Sequence, residues 1–342
     1  MGSSPWLVFA KVGFFPGLVA VSDLYPFLLI PIFNERPWGV RDLRPVYTHV
    51  VKEPIGESWL TWADSKIANG PLTGRTLGEI ARQFKRDLVG SAAISEDKFP
   101  LLIKFLFTSD KLSVQVHPDD AGAQGIGEPF GKTECWYVLA AKPAAQVALG
   151  LKPGISVSEF ERSIYENQAE EFLNWIDVHP GDMLYVAAGT VHTISGGLVL
   201  VETQQSSDIT YRLYDYGRPR ELHIQEGLAA VKLNTRAGKV VQSSNNGSKF
   251  LVQSPFFQVE KMKLNNPLHA ALTRESPHIV VATEGSGVLE SARMEPVSFA
   301  KGEAVVIPAS VAQYSVRPQW ELELMRMSLP TGDVAEPLTT LG

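Results

Sequence analysis

The stretch SVQVHPDD, Ser113 to Asp120, sets a glutamine and a histidine two residues apart in a run of valines. In a β-strand, residues i and i+2 share a face. Gln115 and His117 therefore project side by side, and Val114 and Val116 project the other way. Further on, GKTECWYVL carries Glu134 at the mouth of a strand, and PGDMLYVAAGTVHTI carries His192 after a Gly-Thr turn. One glutamine oxygen, two imidazoles and one carboxylate make a nitrogen–oxygen shell that suits a divalent transition metal. Each residue alone has a plainer reading. A histidine in a β-protein is usually surface or hydrogen-bonded, and Glu134 could be a solvated strand-edge carboxylate. The rigid PDD turn after His117 and the Gly-Thr turn before His192 favour the joint reading. Cys135, the single cysteine, faces away from Glu134 by strand alternation and is expected in the core.

The elements that must hold these residues are mostly strands. FLLIPIF, LLIKFLF, KLSVQV, CWYVLAA, DMLYVAA, GLVLVET, FQVEKMKL, HIVVAT and EAVVIPA are short β-rich runs separated by Gly, Pro and Asp turns. That density predicts an antiparallel sandwich or barrel, and the run from Leu24 to Phe33 reads as the first strand. TLGEIARQFKRDLVG places Leu77, Ile80, Ala81, Phe84 and Leu88 on one helical stripe. SVSEFERSIYENQAEEFLNWI reads as one or two helices, opened by a Ser156–Glu159 capping box. RELHIQEGLAAVKL reads as a third helix, and GKVVQSSNNGSK as a linker. The halves share a weak repeat. PGDMLYVAAGTVHTI aligns with KGEAVVIPASVAQYSV, and His192 falls opposite Gln313. Only the first half would then keep the metal ligand.

Bulk properties narrow the partners. The chain has 342 residues, is 44% hydrophobic and 20% charged, and carries a net charge of −6. This fits a globular protein with a sizeable core and argues against nucleic acid, which wants a basic face. One cysteine excludes an intramolecular disulfide framework and a thiolate zinc site, and fits the reducing cytoplasm. The apolar opening stretch lacks a basic start and is interrupted by Lys11, Pro16, Asp23 and Pro26. It makes a poor signal peptide and a poorer membrane span. Residues 1–22 are expected to be a disordered extension or a product of an upstream start codon.

A resemblance sharpens this reading. RPWGVRDL, GESWLTWAD, PLLIKFLFTSDKLSVQVHPDD, GKTECWYVL and GTVHTISGGLVLVETQQSSDITYRLYDYGR occur in order between Leu24 and Arg218. Together they resemble the type I phosphomannose isomerases, in their short bacterial form. A generic cupin would supply only the PGD…H portion. The resemblance implies a mainly β protein with two cupin (jelly-roll) barrels in tandem and a few helices inserted in and after the first. The metal-binding domain would span 23–238, and a second cupin without the metal site 239–342. The implied activity is zinc-dependent interconversion of mannose 6-phosphate and fructose 6-phosphate, with one Zn2+ per chain. By motif, the metal ligands fall on Gln115, His117, Glu134 and His192, and the active-site arginine on Arg212.

The residues suit that reaction. Moving a proton between C1 and C2 through a cis-enediol needs a base, a cation to polarise oxygens and a clamp for the phosphate. Glu202 in GLVLVET is a base candidate; the plain alternative is a salt-bridged barrel carboxylate. Lys104 sits mid-strand among large apolar residues, where its ammonium needs a cavity or a partner. Lys132 and Arg212 are further cations for phosphate or enediolate, with Lys132 and Glu202 also counted as catalytic. The alternatives are a surface turn for Lys132 and an ion pair with Asp215 or Asp208 for Arg212. Ser113, on the Gln115 and His117 face, could donate to phosphate. Trp38, Trp59, Trp62 and Trp136 read as packing, with Trp38 able to line a cleft. Asp119 and Asp120, being adjacent, read as turn and supporting groups rather than an acid–base pair. Two other functions stay open: a non-catalytic sugar-phosphate-binding cupin and a metal cupin oxidoreductase. Monomer and homodimer both remain open.

Overall fold

The computed structural model describes residues 24–241, 249–292, 294–332 and 340–341. The expected extension at residues 1–22 and the linker residues 242–248 lie outside the described residues. The first unit carries β1 (Phe27–Leu29), β2 (Ile32–Asp42), β3 (Val50–Trp59), β4 (Leu101–Phe107), β5 (Val114–Val116), β6 (Glu134–Ala141), β7 (Gln146–Leu151), β8 (Leu173–Asp177), β9 (Met183–Val186), β10 (His192–Ile194), β11 (Leu198–Gln205), β12 (Tyr211–Tyr214) and β13 (Ala237–Val240). Helices α1 (Leu77–Phe84), α2 (Arg86–Val89), α3 (Asp120–Gly125), α4 (Val157–Tyr165) and α5 (Ile224–Ala230) are set among them. The second unit has β14 (Lys249–Gln253), β15 (Gln258–Leu264), β16 (Leu268–Ala271), β17 (His278–Ser291), β18 (Met294–Ala300), β19 (Ala304–Ile307), β20 (Gln313–Ser328) and β21 (Thr340–Leu341).

The first unit is a jelly-roll sandwich. A five-stranded sheet runs β12-β5-β10-β7-β8, and an eight-stranded sheet runs β2-β3-β4-β11-β6-β9-β13-β21. The second unit is built on β1-β19-β17-β20-β15-β14, with β16 on β20 and β18 on β17. Pairing is antiparallel in both units. The sheets form cupin sandwiches rather than closed barrels.

β4 shows how sequence places the chemistry. All seven residues of LLIKFLF are buried, as expected of a strand covered on both faces. Alternation sends Leu101, Ile103, Phe105 and Phe107 into a core shared by both units. It sends Lys104 and Leu106 into the interior of the first unit, where Leu106 joins the cluster around Trp136 and Leu200.

The run from Leu24 to Phe33 is not one strand. It breaks at Ile30–Pro31, because proline has no N–H to give a ladder. β1 pairs with β19, Phe27 opposite Val306, while β2 pairs with β3. The N-terminal strand thus completes the sheet of the C-terminal unit. β21 crosses the other way, pairing with β13 at the edge of the sheet of β9. The stretch read as the start of a linker is therefore strand β13.

The helices differ from the sequence reading at their ends. The expected Ser156–Glu159 capping box forms, and a second box, Thr76 with Glu79, opens α1. The first helix breaks at Lys85, whose φ is 46°, into α1 and α2. The second stops at Tyr165, and Leu173–Asp177 pairs with β7 instead. Partner availability outweighs helical propensity there. Among the described residues no helix is long and apolar enough to cross a membrane.

The Phe27 side chain is fully buried in the shared core. Phe27→Ala is expected to destabilise the protein by about 3–5 kcal/mol through the cavity it leaves. The midpoint of urea denaturation checks this; an unchanged midpoint would mean that β1 is not needed by the second unit.

Candidate active site

Antiparallel register assembles the site from residues far apart in the chain. In the five-stranded sheet His192 stands opposite Gln115, and Gln115 stands opposite Arg212. In the eight-stranded sheet the row runs Trp59, Lys104, Glu202, Trp136. Both rows border one cavity of about 460 Å³, lined also by Arg36, Trp38, Glu57, Ser113, Lys132, Glu134, Asp208 and Arg220.

His117, Glu134 and His192 converge with their ligand atoms within 4.8 Å of one another. His117 Nδ1 lies 2.8 Å from the Ile209 carbonyl, and His192 Nδ1 lies 2.9 Å from the Thr190 carbonyl. A carbonyl only accepts, so each Nδ1 carries the proton and each Nε2 presents a lone pair. The Nε2 atoms lie 3.5 and 3.4 Å from the Glu134 oxygens. Ligands about 2.0–2.2 Å from a tetrahedral ion stand about 3.3–3.6 Å apart. Both Glu134 oxygens are buried without a hydrogen-bond partner. The Gln115 amide lies 3.1 Å from His192 Nε2, and turning the amide over would present its oxygen there. These residues fit a divalent metal.

Burial keeps the two histidines in binding form. It lowers His192 to about 4 and holds His117 well below the usual imidazole range, aided by Lys132. Both rings are neutral near pH 7, as metal ligation requires. Burial pushes the Glu134 carboxyl up against the lowering effect of the nearby Lys132 ammonium.

Lys132 sits at this end, its Nζ 3.0 Å from His117 Nε2 and 3.2 Å from Glu134 Oε2. Gly131 makes the approach possible, since a Cβ there would fall 2.4 Å from the Asp119 carbonyl carbon. Asp120 accepts from Gly131 N and Gln205 Nε2, and Gln205 Oε1 accepts from Thr133 N. Asp119 caps α3 and pairs with Lys232. The two aspartates thus brace the segment that carries Lys132 and Glu134.

The middle of the cavity holds a buried ion pair. Lys104 Nζ lies 3.1 Å from Glu202 Oε2, and Trp136 Nε1 donates to Glu202 Oε1 at 3.0 Å. Burial opposes ionisation of Glu202, but Lys104, Lys132 and these hydrogen bonds outweigh it and lower its pKa. Lys104 is correspondingly held above its usual value against the opposing effect of burial. The tryptophans read as packing also carry polar contacts: Lys104 lies over Trp59, whose Nε1 donates to Glu57. Trp38 lines the cavity while buried in the core.

Arg212 does not pair with Asp215 or Asp208. Its Nη1 donates to the Glu221 carbonyl at 2.7 Å, and its Nε is buried without a partner. Asp215 instead receives Arg218 and Arg220. Ser113 donates to Gln115 Oε1 at 3.2 Å. Sequence reasoning missed Arg36, Glu57, Arg220 and the Asp215 clamp. RPWG and YGRPREL were visible, but nothing in RPWG marks Glu57 as a partner, and nothing near Asp215 says which of the neighbouring arginines it holds.

The fold and cavity define a double cupin with a metal-capable cluster in its first unit. Two family models match: phosphomannose isomerase type I catalytic domain over residues 27–150, and mannose-6-phosphate isomerase cupin domain over residues 246–327. The chain is 32% identical over 308 residues to mannose-6-phosphate isomerase ManA of Bacillus subtilis, covering 85% of this chain and 95% of that protein. The crystal structure of a Bacillus subtilis mannose 6-phosphate isomerase superposes with a TM-score of 0.78 at 33% identity, covering 90% of this chain and all of that one. A zinc-bound mannose 6-phosphate isomerase shares the fold, with a TM-score of 0.72 at 17% identity over 90% of this chain and all of that one. The chain belongs to the type I phosphomannose isomerase family.

Removing one partner of a buried pair strands the other charge. Glu202→Ala is expected to destabilise by about 3–5 kcal/mol. The double variant Lys104→Met/Glu202→Leu should recover much of that loss. Urea denaturation of both variants checks this, and equal losses would mean that the pair is not the reason for the cost.

Proposed function

We propose that this chain interconverts mannose 6-phosphate and fructose 6-phosphate as a zinc-dependent aldose–ketose isomerase, through a cis-enediol. The observation that carries the reading is the Glu134 carboxylate, buried with the Nε2 atoms of two imidazoles 3.5 and 3.4 Å away in a cavity rich in cations. Family membership supplies the substrate class, and the zinc-bound relative supports the choice of metal.

Gln115, His117, Glu134 and His192 would hold one Zn2+ per chain. When bound, the ion supplies Lewis-acid polarisation of the sugar oxygens. The remaining roles belong to protein side chains. Arg212 has an open guanidinium edge that can meet the negative charge developing on the enediolate. Lys132 lies against His117 and Glu134, so it acts at the metal end of the cavity. Glu202 has both oxygens engaged and its pKa lowered, and a weakly basic carboxylate is a poor proton acceptor. We therefore assign Glu202 to holding Lys104 in place rather than to moving the C1–C2 proton. Lys104 and Ser113 face the substrate from the two walls.

Purified protein should contain about one zinc per chain. His192→Ala should lose that zinc, and chelation should abolish turnover of mannose 6-phosphate in a coupled assay. Binding of the sugar phosphate with no turnover in the zinc-loaded protein would favour a non-catalytic cupin. Arg212→Lys should keep its zinc and lower kcat about 10²-fold or more, because charge remains while the planar fork is lost. A change confined to KM would make Arg212 a phosphate holder instead.

A further inference from the structure

The three segments that carry His117, Glu134 and His192 meet at Thr133, which is 1% exposed and stands between Lys132 and Glu134. Its N–H donates to Gln205 Oε1 at 3.0 Å, its carbonyl accepts from Gln205 N at 3.2 Å, and its hydroxyl oxygen accepts from Ala188 N at 3.2 Å. Ala188 belongs to the turn that leads into β10 and His192. The adjacent Gly189 N donates to the His117 carbonyl at 2.8 Å, and Lys132 N donates to the Pro118 carbonyl at 3.0 Å. A closed ring of hydrogen bonds thus joins the three segments, and Gln205 clamps it where Glu134 begins its strand.

Gln205 is 4% exposed and holds Thr133 on both sides of its peptide, once by its own N–H and once by its side-chain oxygen. The other end of the amide donates: Nε2 lies 2.8 Å from Asp120 Oδ1, and the same oxygen accepts from Gly131 N at 2.8 Å. The amide has one orientation, because the Thr133 N–H needs an acceptor and the Asp120 carboxylate needs a donor. A glutamate there would set a second carboxylate against Asp120. A methionine would leave the Thr133 N–H buried without a partner. Asp120 follows His117 by three residues. One carboxylate therefore ties the His117 segment to the peptides on both sides of Lys132, to Gly131 directly and to Thr133 through Gln205.

We propose that Gln205 is a positioning residue for the metal end of the cavity: anchored on Asp120, it sets the direction of the Glu134 carboxylate and the Lys132 ammonium, and with them the affinity for zinc. The assignment rests on the isomerase reading above and adds to it what keeps the ligand-bearing segments in register. Neither Gln205 nor Asp120 borders the cavity, so both act through the peptides they hold. Hydrogen-bonded neighbours that fix a ligand in this way tune how tightly a metal binds.

The test measures the zinc dissociation constant by chelator competition for wild type, Gln205→Met, Asp120→Ala and Asp120→Asn. It adds kcat and KM for mannose 6-phosphate in zinc-saturated protein and the midpoint of urea denaturation. Gln205→Met should weaken zinc binding by about 10- to 100-fold. At saturating zinc it should lower kcat, because Lys132 is no longer held, with KM within about threefold. Asp120→Ala should behave alike. Asp120→Asn keeps an oxygen for Gln205 Nε2 and Gly131 N, and its zinc affinity should stay within about threefold of wild type. That pair of Asp120 variants carries the comparison should Gln205→Met fail to fold. Variants that unfold at lower urea yet hold zinc as tightly as wild type would overturn the assignment and leave the isomerase reading standing. A wild type that binds zinc without turning over mannose 6-phosphate would sink the isomerase reading, and the zinc affinities would still decide for or against Gln205. A wild type that binds no zinc would remove both.

Discussion

A carboxylate taken out of water must meet a cation or lose its charge. The interior of the first unit holds two, Glu134 and Glu202, at 1% and 4% exposure. Their environments diverge. Glu202 has Lys104 and Trp136, and stays ionised inside the sandwich. Glu134 meets two neutral imidazoles and the Lys132 ammonium 3.2 Å away, and burial still raises its pKa. Two imidazoles and a carboxylate converging there suit a divalent cation, so the metal-capable cluster and the buried ion pair answer one constraint in two ways.

The sandwich makes such an interior tolerable because its polar groups sit on rows fixed by strand register. A one-residue slip of β5 would turn Gln115 into the core and Val116 into the cavity. Register is secured on both sides: Val114 and Val116 pack with Phe160, Leu173 and Leu213 beneath the helices. The second unit solves the same problem without a metal cluster among its described residues. Its interior is largely apolar, with Val280, Phe299, Val305 and Leu324 in one cluster, and Gln313 lies exposed at the start of β20. Its place in the molecule is mechanical: it shares a core with the first unit through Phe105, Phe257 and Met325, and it takes β1 into its sheet.

The cations of this cavity, in a protein of net negative charge, are set by local arrangement. Most cavity cations are neutralised by carboxylates that fix their direction, and among the described residues Arg212 is the cavity cation that keeps an open edge. The Asp215 clamp illustrates the cost of ordering. A guanidinium already held in plane loses less freedom when a ligand arrives than a mobile one.

Much of this was legible in the sequence. Alternation in SVQVHPDD, the polar interruption of LLIKFLF by Lys104, and the capping box at Ser156 each follow from local chemistry, and local chemistry is what a sequence displays. The resemblance of the ordered motifs gave the cupin architecture and the family. Tertiary structure decided the rest. Leu173–Asp177 became a strand because β7 offered a partner, and the first strand split because its halves belong to different sheets. Asp215 turned from Arg212 to Arg218 and Arg220, and Trp136 took Glu202 as a hydrogen-bond acceptor. The strand changes and the Trp136–Glu202 bond depend on which distant strand lies alongside, and long-range pairing leaves no mark in the spacing of nearby residues; Asp215 has three arginines within five residues, and only the folded turn decides which two it holds.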